Sequence, residues 1–283
     1  MTRQCKQLVI DKSVFQATGT SRLEQFVRNH LLILPDGLLY ECLTAEENAS
    51  VFEDRFKKIV LAGGYVCLPI KGIASREARS LQPYSFLPDL TMTNKMRRAF
   101  KRTGPSWSSP EVTTLYEQHL KRASVLSEAA SKTANRLLSE KPHAIENAKK
   151  YQADRKERFK LWIETVKQED VHDLVIQKLP NITESPERYC LSNEWVTWNW
   201  FCLVCVMQLE YVFRESTGQP KSDRVRQAEH DTQDIEYVAY LTRADGLIAQ
   251  DKTSKLAAEL MFPDKDVFSS LDGVPHDYLC HWS

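Results

Sequence analysis

No charge of one sign dominates this chain. Lysine plus arginine number 38, and aspartate plus glutamate also number 38, so the formal net charge is zero. A chain that coats nucleic acid by global attraction is excluded, and any binding of a polyanion must come from local patches. A secretory signal is also missing: Met1-Thr-Arg-Gln-Cys-Lys6 precedes an apolar run too short to be one. The seven cysteines, at 5, 42, 67, 190, 202, 205 and 280, are scattered and odd in number, which suits free thiols in a reducing cytosol better than a disulfide framework. Cys202-x-x-Cys205 lacks a second pair and a nearby histidine, so a zinc or redox role is not expected of it. The most apolar stretch, Trp195 to Phe213, is interrupted by Asn199, Gln208 and Glu210 and falls short of the ~20 uninterrupted apolar residues of a membrane span. A buried core helix is expected there. The sequence thus reads as a cytoplasmic protein with no membrane segment, and Asn48-Ala-Ser50 and Asn181-Ile-Thr183 as glycosylation triplets met by chance.

What the chain does contain is an ordinary core and a particular distribution of acids. At 42% hydrophobic content, 283 residues suffice for one large domain or two modest ones. Leu8-Val9-Ile10 is an apolar run ending in Asp11-Lys12-Ser13, the pattern of a parallel strand buried on both faces. Leu23, Phe26, Val27 and His30 follow at helical spacing, with Thr20 or Ser21 as a cap. Leu31 to Leu34 reads as a second strand. From Gly37 to Leu61 a long helix or a pair of helices is expected, carrying Glu41 among leucines, and Ala62-Gly63-Gly64 stops it before a third strand at Tyr65 to Pro69. Near the other end, Asp231 and Asp234 sit where a helix begins, with Ile235, Val238, Ala239 and Leu241 at helical spacing. The run from Gly246 to Gln250 reads as a buried strand that delivers Asp251 to its C-terminal tip, where open α/β sheets gather ligands. Carboxylates brought to one sheet edge from both ends of the chain suggest a cation site.

Between these ends lies a region of helical character. Thr93 to Arg102 holds Lys95, Arg97, Arg98, Lys101 and Arg102 with no acid among them, which is either a solvated helix face or a contact surface for phosphates. Gly104 to Pro110 is a breaker-rich linker. Apolar stripes from Glu111 to about Leu138 and from about Pro142 to Val166 suggest an antiparallel helical hairpin.

Strand-Asp11-x-Ser13, Glu41 in an early helix, Asp234 opening a late helix and Asp251 after the next strand together resemble the PIN domain family of nucleases. The resemblance covers about residues 7–64 and 224–265. It implies a three-layer α/β/α sandwich with a central parallel sheet, a PIN-like core from 1–70 and 224–283, and a long helical insertion over 71–223. It also implies cleavage of RNA, or less favourably DNA, with Mg²⁺ or Mn²⁺. On that reading Asp11, Asp234 and Asp251 are metal ligands, Glu41 is a ligand or a water-positioning acid, and Ser13 supports them. Lys12 and Arg243 are candidate phosphate contacts, with Lys95, Arg97, Arg98, Lys101 and Arg102 as a nucleic-acid patch. Asp231 is read as a helix cap, and Asp223, Glu236 and Asp245 as solvated acids. The chain departs from the pattern at Ala249-Gln250, where many relatives have Thr-x-Asp. A toxin-type ribonuclease held by a protein inhibitor, or a catalytically silent module that recruits a protein or RNA partner through its helical insertion, are the other readings.

Overall fold

The computed structural model describes residues 5–43, 48–102, 135–139, 143–168, 192–218 and 234–280, with Lys132 and Lys141 between them. Five strands form one sheet: β1 (Gln7–Ile10), β2 (Leu31–Leu34), β3 (Tyr65–Val66), β4 (Gly246–Ile248) and β5 (Asp266–Phe268). Their order is β3-β2-β1-β4-β5, and every pair is parallel. Helices flank the sheet, so this is an α/β fold with a central parallel sheet, as expected. The apolar runs have a direct cause. All residues of β1, β2 and β4 are buried, because a parallel strand covered on both faces by helices has no side left for water.

Helices among the described residues include α1 (Lys12–Ala17), α2 (Thr20–Asn29), α3 (Asp36–Leu43), α4 (Ala49–Ala62), α5 (Ile70–Ser80), α6 (Leu90–Arg102), α7 (His143–Lys149), α8 (Arg155–Val166), α9 (Val196–Ser216) and α10 (Lys252–Met261). The region from Gly37 to Leu61 is thus a pair. Gly63 ends α4 at φ +140°, and a Cβ there would stand 2.9 Å from the Val27 carbonyl oxygen, so only glycine fits. The third strand is shorter than expected, with Cys67 making an isolated antiparallel bridge to Pro88. β5 was not expected: Asp266-Val267-Phe268 is too short and too polar at its start to stand out as a strand. The expected helix from Glu111 lies largely outside the described residues, as do Asp223, Asp231 and Asn181.

Trp195 to Phe213 folds as expected, into α9. Among the described residues this is the one helix long and apolar enough to cross a membrane, and most of it is buried inside the fold. It packs against α5 and α8, and its apolar residues belong to the same core cluster as the sheet. Two buried glutamates hold it there. Glu77 on α5 accepts the Val196 N–H at 3.0 Å and the Thr197 N–H at 2.9 Å, so a carboxylate from another helix satisfies orphan donors at the start of α9. Glu210, fully buried on α9, is clasped at both oxygens by Arg158 on α8, at 2.8 and 3.1 Å, and also accepts from Trp162 and Arg214 at 3.2 Å each. Burial alone would raise the Glu210 carboxyl, but the Arg158 fork, Trp162 and Arg214 outweigh it and hold it below the ordinary range.

Removing one member of such a pair leaves a buried charge unmatched. Glu210→Gln should therefore cost about 3–5 kcal/mol in urea unfolding. Since the folded pKa is depressed, the stabilisation is present above the unfolded value near 4.5 and disappears as pH falls through the lower folded value. The variant should show a flatter loss of stability in acid than the wild type. Parallel pH profiles would show that the pair stabilises nothing.

Candidate functional site at the sheet switch point

The chain runs from β1 outward through β2 to β3, then returns to place β4 on the other side of β1 and continues to β5. The direction of winding therefore reverses between β1 and β4. In open α/β sheets a crevice forms outside the carboxyl ends of the strands at such a switch point. Asp11 follows β1 and Asp251 follows β4 after two intervening residues, so the topology puts both at this place.

Local structure holds each of them. Asp11 caps α1, its Oδ1 accepting the Val14 N–H at 2.9 Å, and its own N–H donates to the Ile248 carbonyl at 3.0 Å. The Ser13 hydroxyl donates to the Asp11 carboxylate, with oxygens at 2.8 and 2.9 Å, and accepts the Gln250 N–H at 3.2 Å. Ser13 thus ties the turn after β1 to the turn after β4. Asp251 caps α10, with Oδ2 accepting the Ser254 N–H at 2.6 Å. Both acids sit at N-caps, where aspartate satisfies an orphan amide and meets the favourable end of the helix dipole.

Glu41 comes from α3, the helix after β2, and is buried with 6% of its surface exposed. The Tyr237 hydroxyl donates to its Oε2 at 3.1 Å, and the Lys12 ammonium lies 3.8 Å from the same oxygen. Asp234 is half-buried in a helical stretch over 234–239 that leads to a 3₁₀ turn at Tyr240–Thr242. Its charge acts on the Tyr237 hydroxyl, which burial and the nearby Glu41, Cys42 and Asp234 push far above an ordinary phenol. Lys12, expected as a phosphate contact, is thus beside Glu41. Tyr237 was not singled out from the sequence, although its position one helical turn after Asp234 put it on the same face.

Burial and mutual repulsion oppose negative charge on the acids of this edge. Burial raises the Asp11 carboxyl, the hydrogen bonds from Val14, Ser13 and Gln250 oppose it, and the Asp251 charge adds to the rise. Burial likewise raises Glu41, against Lys12 and Tyr237, with the Asp11 charge adding to it. Cys42 next to Glu41 is pushed up to about 12 by burial and by that charge, which leaves it an inert thiol. The acids are neighbours in each other's field, but among the described residues no three histidine, cysteine, aspartate or glutamate side chains are grouped so as to hold a metal ion.

The other expected residues lie elsewhere. Lys95, Arg98 and Lys101 are exposed on α6. Arg97 instead turns inward: its Nε donates to the Val60 carbonyl at 3.0 Å and its Nη2 to the Gly64 carbonyl at 3.2 Å, and the guanidinium lies 5.1 Å from the centre of the Tyr65 ring. It satisfies carbonyls at the end of α4, a role that a run of basic residues does not disclose. The Arg102 side chain lies outside the described residues. Arg243 and Asp245 precede β4 and stand at the opposite end of the sheet from Asp11. Asp245 is half-buried and accepts the Gln7 N–H at 2.7 Å, which corrects its reading as a merely solvated acid.

No family model matches the chain, and neither a curated protein nor a solved structure matches it.

A raised carboxyl favours the protonated state, so Glu41 contributes stability that is present below its unfolded pKa and lost as pH rises through the higher folded value. Glu41→Gln keeps the size and removes that proton linkage. In thermal unfolding without divalent metal, the variant should be no less stable than the wild type near pH 7 and should lose less stability as pH rises above 4.5. An identical pH dependence of the two would show that burial does not hold the carboxyl protonated.

Proposed function

We propose that this chain is a metal-dependent nuclease with a PIN-like core, hydrolysing phosphodiester bonds of RNA or DNA. The observation that carries the reading is the arrival of Asp11 and Asp251 at the switch point of the sheet, with buried Glu41 within the field of Asp11. The donors suit a hard divalent cation, since all are carboxylate oxygens and two are raised by burial, the situation that a nearby positive charge relieves. Asp11, Asp234 and Asp251 would hold Mg²⁺ or Mn²⁺, and Glu41 would be a further ligand or position a water. When bound, the ion supplies a water acidic enough to act as nucleophile near neutral pH and positive charge for the phosphoryl oxygens.

The chain's own residues complete the site. Ser13 fixes the Asp11 carboxylate by donating to it, and the same hydroxyl holds the Gln250 amide, so the two turns stay in register. Tyr237 and Lys12 fix Glu41. The exposed Lys95, Arg98 and Lys101 would engage the phosphate backbone, and the helices between 71 and 223 would offer the surface for a protein partner or inhibitor. On this reading a toxin-type ribonuclease held by such an inhibitor is the nearest functional class.

The decisive experiment measures turnover of labelled single-stranded RNA and DNA by the purified full chain in Mg²⁺, Mn²⁺ or EDTA. Cleavage should require metal, and Asp11→Asn or Asp251→Asn should lower it by on the order of a hundredfold or more, each tenfold being about 1.4 kcal/mol of transition-state stabilisation. Cleavage that persists in EDTA or in both variants would place the activity outside this edge. Absence of cleavage on every substrate, with RNA binding retained, would instead make the chain a silent binding module.

The basic segment has a separate test. Lys95, Arg98 and Lys101 changed together to Gln should weaken nucleic-acid binding about equally for all sequences and make its salt dependence shallower by roughly two to three in slope. An unaltered slope would leave α6 a solvated face.

A further inference from the structure

At the amino-terminal ends of the strands, opposite the acids, lies a cavity of about 270 Å³. Its lining includes Lys6, Gln7, Ser85, Arg243, Asp245 and Lys265. Gln7 begins β1 and is 6% exposed, yet its side-chain oxygen is buried with no hydrogen-bond partner among the described residues. The Arg243 Nε, also buried, lacks a partner among the described residues as well, although the Nη2 of the same guanidinium donates to the Glu194 carbonyl. Both residues line the cavity, and a buried acceptor and a buried donor without partners each carry a cost of desolvation that native structures seldom leave unanswered. Three cations and one carboxylate line the same space, with Lys6 paired to Asp277 outside it.

We infer that this cavity binds a small phosphate, either free or as a phosphomonoester, through Arg243, Lys265 and Ser85 on its oxygens and through Asp245 on its proton. The mixed lining selects the ligand. Arg243 and Lys265 call for an anion, but the Asp245 carboxylate is an acceptor and would repel an anion that carries no hydrogen. Phosphate and its monoesters retain a proton with a pKa near 6–7 and so can donate as well as accept, whereas sulfate has none to donate at neutral pH. The volume, below the ~300–1,000 Å³ of sites for drug-sized ligands, suits a small molecule rather than a polymer strand. The inference does not rest on the nuclease reading, since the two sites stand at opposite ends of the sheet.

The test is calorimetric titration of the full chain with inorganic phosphate, methyl phosphate and sulfate at pH 7. Saturable one-site binding of phosphate is expected, with sulfate weaker by about tenfold or more. The tighter of inorganic and methyl phosphate identifies the natural form as free phosphate or monoester. Arg243→Gln and Lys265→Gln should each weaken phosphate about tenfold while circular dichroism and thermal unfolding of the unliganded protein stay close to wild type. Asp245→Asn should abolish the preference for phosphate over sulfate. Equal binding of the two anions by the wild type, absence of saturable phosphate binding, or unchanged affinity in Arg243→Gln would each overturn the assignment.

Discussion

The structure depends on β1 having a parallel neighbour on each side. Its backbone is shared between β2 and β4, so its four residues must be apolar on both faces and helices must cover both. That one constraint forces the chain, after running outward through β2 and β3, to return and add β4 on the far side. The return creates the switch point, and the switch point is where Asp11 and Asp251 meet. A hydroxyl, Ser13, then locks the two strand-end turns together through one hydrogen-bond relay.

The long middle of the chain serves the same core. α9 is too apolar to remain in water, and its burial against α5 and α8 would leave its amino-terminal N–H groups and its Glu210 without partners. Glu77 answers the first and Arg158 the second. Both solutions put a carboxylate where desolvation opposes it and then satisfy its oxygens with donors from another helix, which restricts how α5, α8 and α9 can pack.

The switch-point edge is different in kind. Glu210 is matched by a guanidinium and held below its ordinary range, while Asp11 and Glu41 are raised by burial despite their hydrogen bonds. A fold that matches one buried acid so fully and leaves two others raised concentrates electrostatic strain at one edge. Acids raised by burial and gathered at one sheet edge are a mark that functional sites often carry.

Much of the scaffold was legible in the sequence by itself. Apolar runs bounded by acids or glycines marked β1, β2 and β4, and glycine at 63 ended α4, because periodicity and backbone stereochemistry are local properties. The polar interruptions in Trp195 to Phe213 also marked a core helix locally. β5 was not legible, since a short strand beginning with an exposed aspartate draws its stability from pairing with β4 and not from its own residues. Nor was the inward turn of Arg97, which exists only because the end of α4 presents two carbonyls to it. Asp11, Glu41, Asp234 and Asp251 could be named from their order along the chain. Which of them share an edge, that Tyr237 and Lys12 hold Glu41, and that Arg243 and Asp245 stand at the other end of the sheet were decided by strand order and helix rotation. Those are relations between segments separated in the chain, Tyr237 and Glu41 by 196 residues, and no local pattern carries them.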